Sequence, residues 1–324
     1  MLDQWIGART PWELLAGAAL IALSVGSVIR LATLGGCSPE KRRGHLGSLR
    51  TWWILLLMLL AASALGPWGV SLLLAGAGAI ALDEFLRLTT PDLPRGVRRV
   101  WIAVLVLTNY ALIVAAPNFD SRPVVVLLIG WSLVIPHLIS DSPRRYLEHV
   151  GHALWGALVL VWGVGHAAWL VARDIPGDDL ETRVGWFLLL VILTEFNDIF
   201  QALIGRAIGK HRILPTVSPH KTWEGFLGGM LFTIIAAGAL QSVLRLRPLA
   251  NQEIDQPYPL LAMLGAAAVV AISGFVGDLN ISCVKRDKGV KDGSTLLPGQ
   301  GGMVDRIDSL SFTAPALVLW TTLV

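Results

Sequence analysis

Apolar residues in this chain gather in long blocks instead of alternating with polar ones. The blocks fall at approximately 12–34, 51–66, 68–86, 99–116, 123–140, 151–173, 184–206, 225–244, 258–277 and 308–324. At about 1.5 Å of helical rise per residue, such blocks suit a hydrocarbon layer about 30 Å thick. A water-soluble helix of this length would carry charge along its outer face, and these blocks do not. The pattern predicts an all-α, polytopic integral membrane protein with about ten transmembrane helices. Only the turn Gly66-Pro67-Trp68 divides the second block from the third, so one re-entrant hairpin is an alternative for that pair. No internal repeat, low-complexity tract or separate soluble domain is evident. Two regions are expected: residues 1–180, helices without an assigned role, and residues 181–324, which hold two motif-bearing loops.

Composition sharpens this picture without changing it. Apolar residues make up 54% of the chain and charged ones only 15%, against roughly 25% charged in soluble domains. Several of the 13 tryptophans stand near block ends, where indoles favour the bilayer interface. Two cysteines, Cys37 and Cys283, exclude a disulfide framework. The placement of charge matters more than its total. The alternate segments 35–50, 87–98 (with Arg99 at its border), 141–150, 206–224 and 278–307 hold 19 of the 26 Lys and Arg residues. The opposite segments hold six, namely Arg9, Arg122, Arg173, Arg183, Arg245 and Arg247. By the positive-inside rule the first set is expected in the cytosol, with both termini outside. The acidic run from Asp174 to Glu181 then falls on the outer side. Leu34-Gly35-Gly36-Cys37 has the form of a lipoprotein cleavage box, but Arg30 interrupts the apolar run and Lys41-Arg42-Arg43 follows it. The first span is therefore expected to be retained.

The chemistry lies in two loops and the span ends that feed them. Glu195 and Asp198 are three residues apart on one helical face, inside an otherwise apolar block. A carboxylate in hydrocarbon costs about 3 kcal/mol or more unless it is paired, hydrated or metal-bound. Structural contacts between helices would answer that cost, and so would a polar pocket open to one side. Downstream come Gly205-Arg206, Gly209-Lys210 and Ser218-Pro219-His220-Lys221-Thr222-Trp223-Glu224-Gly225. The second segment, from Asp278 to Asp308, mixes five basic residues and five aspartates with five glycines. Glycines let backbone approach phosphate, cationic side chains neutralise it, and aspartates offer hard oxygens to Mg²⁺. A site for metal and polyphosphate explains this mixture better than a merely solvated loop. The P-loop and dinucleotide-binding patterns are both missing.

Ser282-Cys283-Val284-Lys285-Arg286, Lys291-Asp292-Gly293, Leu297-Pro298-Gly299-Gln300-Gly301-Gly302 and Asp305-Arg306-Ile307-Asp308 closely resemble the signature of the phosphatidate cytidylyltransferase (CDP-diacylglycerol synthase) family. The block Ser218 to Gly225 is similar to that family's second conserved segment, and Asp198 stands in the matching place before Gly205-Arg206. The resemblance is specific over about 195–315 and hydropathic before that. Gln300 departs from it, standing where the family usually has His. So do Glu195-Phe196-Asn197 and Gln201-Ala202, which mark a divergent branch.

The resemblance implies Mg²⁺-dependent conversion of CTP and phosphatidate to CDP-diacylglycerol and pyrophosphate, by in-line attack of the lipid phosphate on the α-phosphorus. It implies Asp278 and Asp305 as first metal ligands, with Asp198 and Asp308 as further ones, and it allows a second metal or a monovalent cation. Lys285, Arg286 and Lys291 are implied as catalytic cations beside the phosphates. Ser218, Lys221, Arg306, Gln300 and Asp292 are implied as substrate-binding. Trp223 is read as an interfacial anchor, His211 and His220 as solvated loop residues, and Cys283 as a spectator. The expected partners are CTP, phosphatidate or a related lipid phosphate, and membrane lipid. No nucleic acid is expected, and a homodimer is left open. The expected location is a bacterial inner (plasma) membrane, with the site facing the cytosol. The alternatives are a paralogue acting on another lipid or polyprenol phosphate, and an inactive lipid-binding or transport protein of the same fold. A transporter would be expected to show inverted repeats and broken midplane helices, and neither is seen.

The partition of basic residues generates a test. A single cysteine at Thr216, in a background lacking Cys37 and Cys283, is expected to escape impermeant thiol reagents in intact cells and to react after permeabilisation. Labelling from outside would contradict the assigned orientation.

Overall fold

The computed structural model describes residues 10–36, 38–116, 120–139, 145–173, 179–244 and 259–323. Cys37, most of the acidic run after Arg173, and Arg9, Arg245 and Arg247 lie outside the described residues.

Every apolar block corresponds to a helix. In chain order these are α1 Pro11–Ala32, α2 Pro39–Ala64, α3 Gly66–Thr89, α4 Arg95–Ala115 and α5 Arg122–Ile139. They continue with α6 Tyr146–Ala172, α7 Leu180–Ile208, α8 Trp223–Leu244, α9 Leu260–Asp287, the short α10 Val304–Ile307 and α11 Leu310–Leu323. Eight of them, α1 to α4 and α6 to α9, are long and apolar enough to cross a membrane. Among the described residues, α5 offers only the shorter apolar stretch Arg122–Val134, and α11 has 14 residues. Of the ten expected spans, eight therefore meet the length and hydropathy of a membrane crossing among the described residues.

Local signals explain where the helices start. Ser38 Oγ accepts the Lys41 N–H with Pro39 in the first turn of α2, and Asp179 accepts the Thr182 N–H at 2.6 Å at the start of α7. Both satisfy backbone donors that a helix N-terminus leaves open. Three expectations shift. The 35–50 loop is helical from Pro39, so Lys41, Arg42 and Arg43 ride on the first turns of α2. With 26 and 24 residues, α2 and α3 each reach about 36 Å or more, and the re-entrant hairpin is set aside. Helix α9 runs ten residues past the expected end at 277, carrying Asp278, Ser282, Lys285 and Arg286 on helix instead of loop. No Gly or Pro interrupts residues 278–288. The helix closes at Gly289, whose N–H donates to Arg286 O while the Val290 N–H donates to Lys285 O. One element is not helical: β1 Arg212–Leu214 pairs antiparallel with β2 Ser218–Thr222 between α7 and α8.

Helix α7 is central, packing on α1, α6, α8, α9 and α11. Its Trp186, Phe187, Leu188, Leu189 and Leu190 are fully buried. Around the outside, Trp68, Leu72, Leu107 and Leu261 project from the bundle and are more than two-thirds exposed. Large apolar side chains on both the inside and the outside suit a hydrocarbon surround. There, helices are the elements that satisfy their own backbone groups. Chain alternation brings the end of α7, the β hairpin, the end of α9, the start of α2 and the end of α3 to one end of the bundle, the end carrying the basic segments.

At that end α9 and α11 approach closely at Gly277. A Cβ added there would lie 2.5 Å from Asp308 O and 3.2 Å from Ser309 Cα, both backbone atoms that cannot swing aside. Gly277→Ala is expected to destabilise the detergent-purified protein by about 1–3 kcal/mol, the usual range for overpacking. Gly76→Ala, where no atom lies within 4 Å, should be neutral or slightly stabilising. Equal thermal midpoints for the two variants would contradict the close approach.

Candidate active site

A cavity of about 620 Å³ opens at the basic end of the bundle. Trp52 and Leu59 of α2, Leu74 of α3, Phe187 and Val191 of α7 and Leu310 of α11 form its apolar part. Its polar part is a stripe of α7, Glu195, Asp198 and Arg206, together with Lys221, Asp278, Gln300, Asp305, Arg306, Asp308 and Ser309. Glu195 and Asp198 therefore share the face that their spacing predicts. The expectation of a polar pocket, rather than interhelical contacts alone, describes them.

The hairpin delivers Lys221. Glu224, just past it, accepts the N–H groups of Lys210 and His211 at 3.1 and 3.2 Å and pins the hairpin's entry. At the other side Arg286 Nε donates to Val217 O at 3.1 Å, tying the turn to the end of α9. Lys221 Nζ then sits 2.8 Å from Asp278 Oδ2, donates to Gln201 Oε1 at 3.2 Å and lies 5.5 Å from the Phe275 ring centroid. Burial works against its charge, but the carboxylates of Asp278, Asp198 and Asp308 outweigh that and hold its pKa above the ordinary lysine value. Lys221 is thus a cation throughout the neutral range. Its share of the stability fades only as pH rises through that elevated value.

The carboxylates have unequal surroundings. Asp198 Oδ2 accepts the Ser309 hydroxyl at 2.9 Å, while its buried Oδ1 has no hydrogen-bond partner. Asp278 Oδ1 is 3.4 Å from Ser282 Oγ, and Asp308 Oδ1 accepts the Ser309 N–H at 2.8 Å. Asp305 is fully engaged. Its Oδ1 meets Lys285 Nζ at 2.6 Å, and its Oδ2 accepts the N–H groups of Gly293 and Gly302, each at 2.9 Å. Asp305 thereby folds the loop between α9 and α10 around itself. At Gly301 the chain takes φ +81, and a Cβ would meet Asp305 Oδ2 at 2.7 Å, so this turn calls for glycine.

Of the residues expected from the sequence, Asp198, Lys221, Asp278, Gln300, Asp305, Arg306 and Asp308 all line the cavity. Lys285 stands behind it as the partner of Asp305. Ser218, Arg286, Lys291 and Asp292 are not among the lining residues. Ser218 begins β2 half-buried, Arg286 braces the hairpin, and Lys291 and Asp292 are exposed. Trp223 is half-exposed, as an interfacial anchor would be, and Cys283 is a free, exposed thiol. His211 is exposed yet paired, its Nδ1 lying 2.6 Å from Glu224 Oε1.

The N-terminal half supplies residues that the sequence reading passed over. Gln300 Nε2 donates to Ser48 Oγ at 2.5 Å, and Thr51 Oγ1 donates to Pro298 O at 3.2 Å, both from α2. Glu84 of α3 reaches the same loop, accepting the Ser294 hydroxyl and the Val304 N–H. A signal for Glu84 was present: it is a carboxylate inside an apolar block, open to the cost argument made for Glu195 and Asp198.

Among the described residues, no three His, Cys, Asp or Glu side chains gather closely enough to hold a metal ion by themselves. Mg²⁺ does not need such a cluster, since it binds through one or two carboxylates and completes its shell with water and substrate phosphate. Asp198, Asp278 and Asp308 around one cavity, with an unpartnered oxygen on Asp198, fit that demand.

Comparisons with known proteins agree with this geometry. Residues 48–324 match the family described as "Cytidylyltransferase family". The chain is 34% identical over 279 residues to the uncharacterised protein YnbB of Escherichia coli (strain K12), covering 86% of this chain and 87% of that protein. It is 35% identical over 223 residues to a phosphatidate cytidylyltransferase of Pseudomonas aeruginosa, covering 68% of this chain and 75% of that one. A phosphatidate cytidylyltransferase of Chlamydia muridarum is 29% identical over 275 residues, at 81% and 87% coverage. With most of its length matched, and with helices long enough to span a bilayer, this chain belongs to the cytidylyltransferase family as an integral membrane nucleotidyltransferase.

Proposed function

We propose that the protein transfers the cytidylyl group of CTP to phosphatidate, giving CDP-diacylglycerol and pyrophosphate at a cavity facing the cytosol of a bacterial inner membrane. The observation that carries this reading is the two-sided cavity. Its apolar wall of Trp52, Leu59 and Leu74 faces the charged set of Asp198, Lys221, Asp278 and Arg306. A lipid phosphate needs both kinds of wall at once. The relatives named for phosphatidate cytidylylation support the acceptor.

The chemistry asks two polyanions to meet. A phosphatidate oxygen forms a bond to the α-phosphorus of CTP while the bond from that phosphorus to the bridging oxygen breaks, and pyrophosphate leaves with the electron pair. The lipid phosphate is ionised at neutral pH, so its attack needs no general base. Gln300, which cannot titrate, is compatible with that requirement. Lys221, Arg206 and Arg306 lower the repulsion between the two substrates and steady the charge that develops on the leaving oxygens. One or two of Asp198, Asp278 and Asp308 would hold Mg²⁺, which when bound neutralises polyphosphate oxygens. Asp305 is assigned to the framework beside them, because its two oxygens already take three close contacts, from Lys285 Nζ and from the Gly293 and Gly302 N–H groups.

The assignment is tested on purified protein with CTP, Mg²⁺ and a panel of phosphatidate, lysophosphatidate and polyprenyl phosphate, reading pyrophosphate release. Phosphatidate is expected to be the preferred acceptor. Asp278→Asn should lower turnover at least about 100-fold while leaving the thermal midpoint within a few degrees, since Asn can still accept from Lys221, whose charge keeps the neighbouring Asp198 and Asp308. Asp305→Asn should lower both, by about 3 kcal/mol in stability, because Lys285 loses its buried counter-ion. Near-normal turnover in Asp278→Asn would sink the metal-side assignment. Preference for polyprenyl phosphate would move the protein to the other acceptor class.

A further inference from the structure

Glu84 is the residue of the N-terminal half with the most direct hold on the motif loop. It lies on α3, inside a membrane-length helix, and is 7% exposed. Its Oε1 accepts the Ser294 hydroxyl at 2.6 Å and its Oε2 accepts the Val304 N–H at 2.9 Å. The approach is tight, since a Cβ added at Gly302 would lie 2.5 Å from Glu84 Oε2. Ser294 and Val304 bracket the loop that places Gln300 in the cavity, and Val304 is the first residue of α10, which carries Asp305 and Arg306. Asp305 closes the same loop from inside through Gly293 and Gly302. The two carboxylates therefore hold both ends of the segment. Among the described residues, Glu84 alone does so from outside the C-terminal half.

The geometry points to Glu84 as a positioning residue for the transfer reaction. It fixes the register of residues 293–304 against α3, and so the placement of Gln300 and Arg306 over the bound phosphates. This rests on the proposed function for its kinetic consequence and on the geometry alone for its structural one. Glu84 is absent from the residues that line the cavity and acts through Ser294 and Val304.

Hydrogen-bond chemistry makes the role testable. A hydroxyl can accept as well as donate, so a glutamine at this position could accept from Val304 N–H with its oxygen and donate to Ser294 Oγ with its nitrogen. Both contacts survive the loss of charge. Leucine supports neither, and leaves a buried N–H without an acceptor.

The experiment compares Glu84→Gln and Glu84→Leu with the wild type in two readouts. In the first, amide hydrogen exchange of the full-length purified protein, Glu84→Leu should speed exchange in peptides covering 293–304 by about tenfold or more. Peptides of α9 and α11 should be unchanged, and Glu84→Gln should resemble the wild type. In the second, steady-state kinetics with CTP and phosphatidate, Glu84→Leu should lower kcat about tenfold or more while KM for CTP moves by less than about threefold. Glu84→Gln should keep kcat within about threefold. Equal losses in both variants would overturn the proposal, because they would make the charge itself the working feature. Faster exchange throughout α3, α9 and α11 in Glu84→Leu would also overturn it, as a fold-wide defect. A wild type that uses no lipid phosphate would defeat the proposed function, and the exchange readout would still decide the role of Glu84.

Discussion

Lys221 and the acidic groups around it are the contact on which the rest of the site depends. Helices α7 and α9 each carry a carboxylate in a segment of membrane length, and α11 is preceded by another. Such groups are costly in an apolar bundle unless something answers their charge. Lys221 does so from outside the helices, 2.8 Å from Asp278 and within the field of Asp198 and Asp308. The hairpin exists to carry it there, with Glu224 pinning one side and Arg286 the other. Gly277 lets α11 come close enough for Asp308 to join. Arg206 and Arg306 join Lys221 in the cavity, yet its acidic groups Glu195, Asp198, Asp278, Asp305 and Asp308 outnumber these cations, so the site keeps a demand for further positive charge. An enzyme that handles polyphosphate with a divalent cation can use that demand.

The second constraint is mechanical. The loop from Gly289 to Met303 has little regular structure of its own, apart from the bridge between Leu297 and Gly301. Its shape comes from carboxylates that collect backbone N–H groups and from α2, which meets it at Ser48 and Thr51. The N-terminal helices thus touch the site directly. They also supply the apolar wall of the cavity through Trp52, Leu59 and Leu74.

Much of this was legible in the chain. The helices could be read because apolar blocks in a membrane protein are long and continuous, and seven of the residues singled out for chemistry do line one cavity. What failed has physical reasons. Hydropathy marks where a helix leaves hydrocarbon and is silent on where it ends, so the polar turns of α2 and α9 read as loops in the sequence. The contacts of Arg286 with Val217 and of Asp305 with Lys285 and two backbone amides were hidden, because a cation beside a backbone carbonyl and a cation beside a phosphate look alike in sequence. The same holds for an aspartate holding amides and an aspartate holding metal. Ser48 was invisible, since nothing in its own neighbourhood distinguishes a serine that meets Gln300 from one that meets water. Glu84 is legible as a carboxylate inside an apolar block, but its partners Ser294 and Val304 lie 210 and 220 residues away, and no local pattern links them.

In the proposed reaction the cytidylyl group of CTP, with its α-phosphorus, moves to a lipid phosphate in this cavity. Parallel reactions with CTP labelled at the α- or the γ-phosphorus, with phosphatidate and Mg²⁺, follow that atom directly. The expected result is that α-label enters the lipid phase while γ-label stays in water as pyrophosphate. Appearance of γ-label in the lipid, or retention of both labels in water with every lipid phosphate supplied, would contradict it.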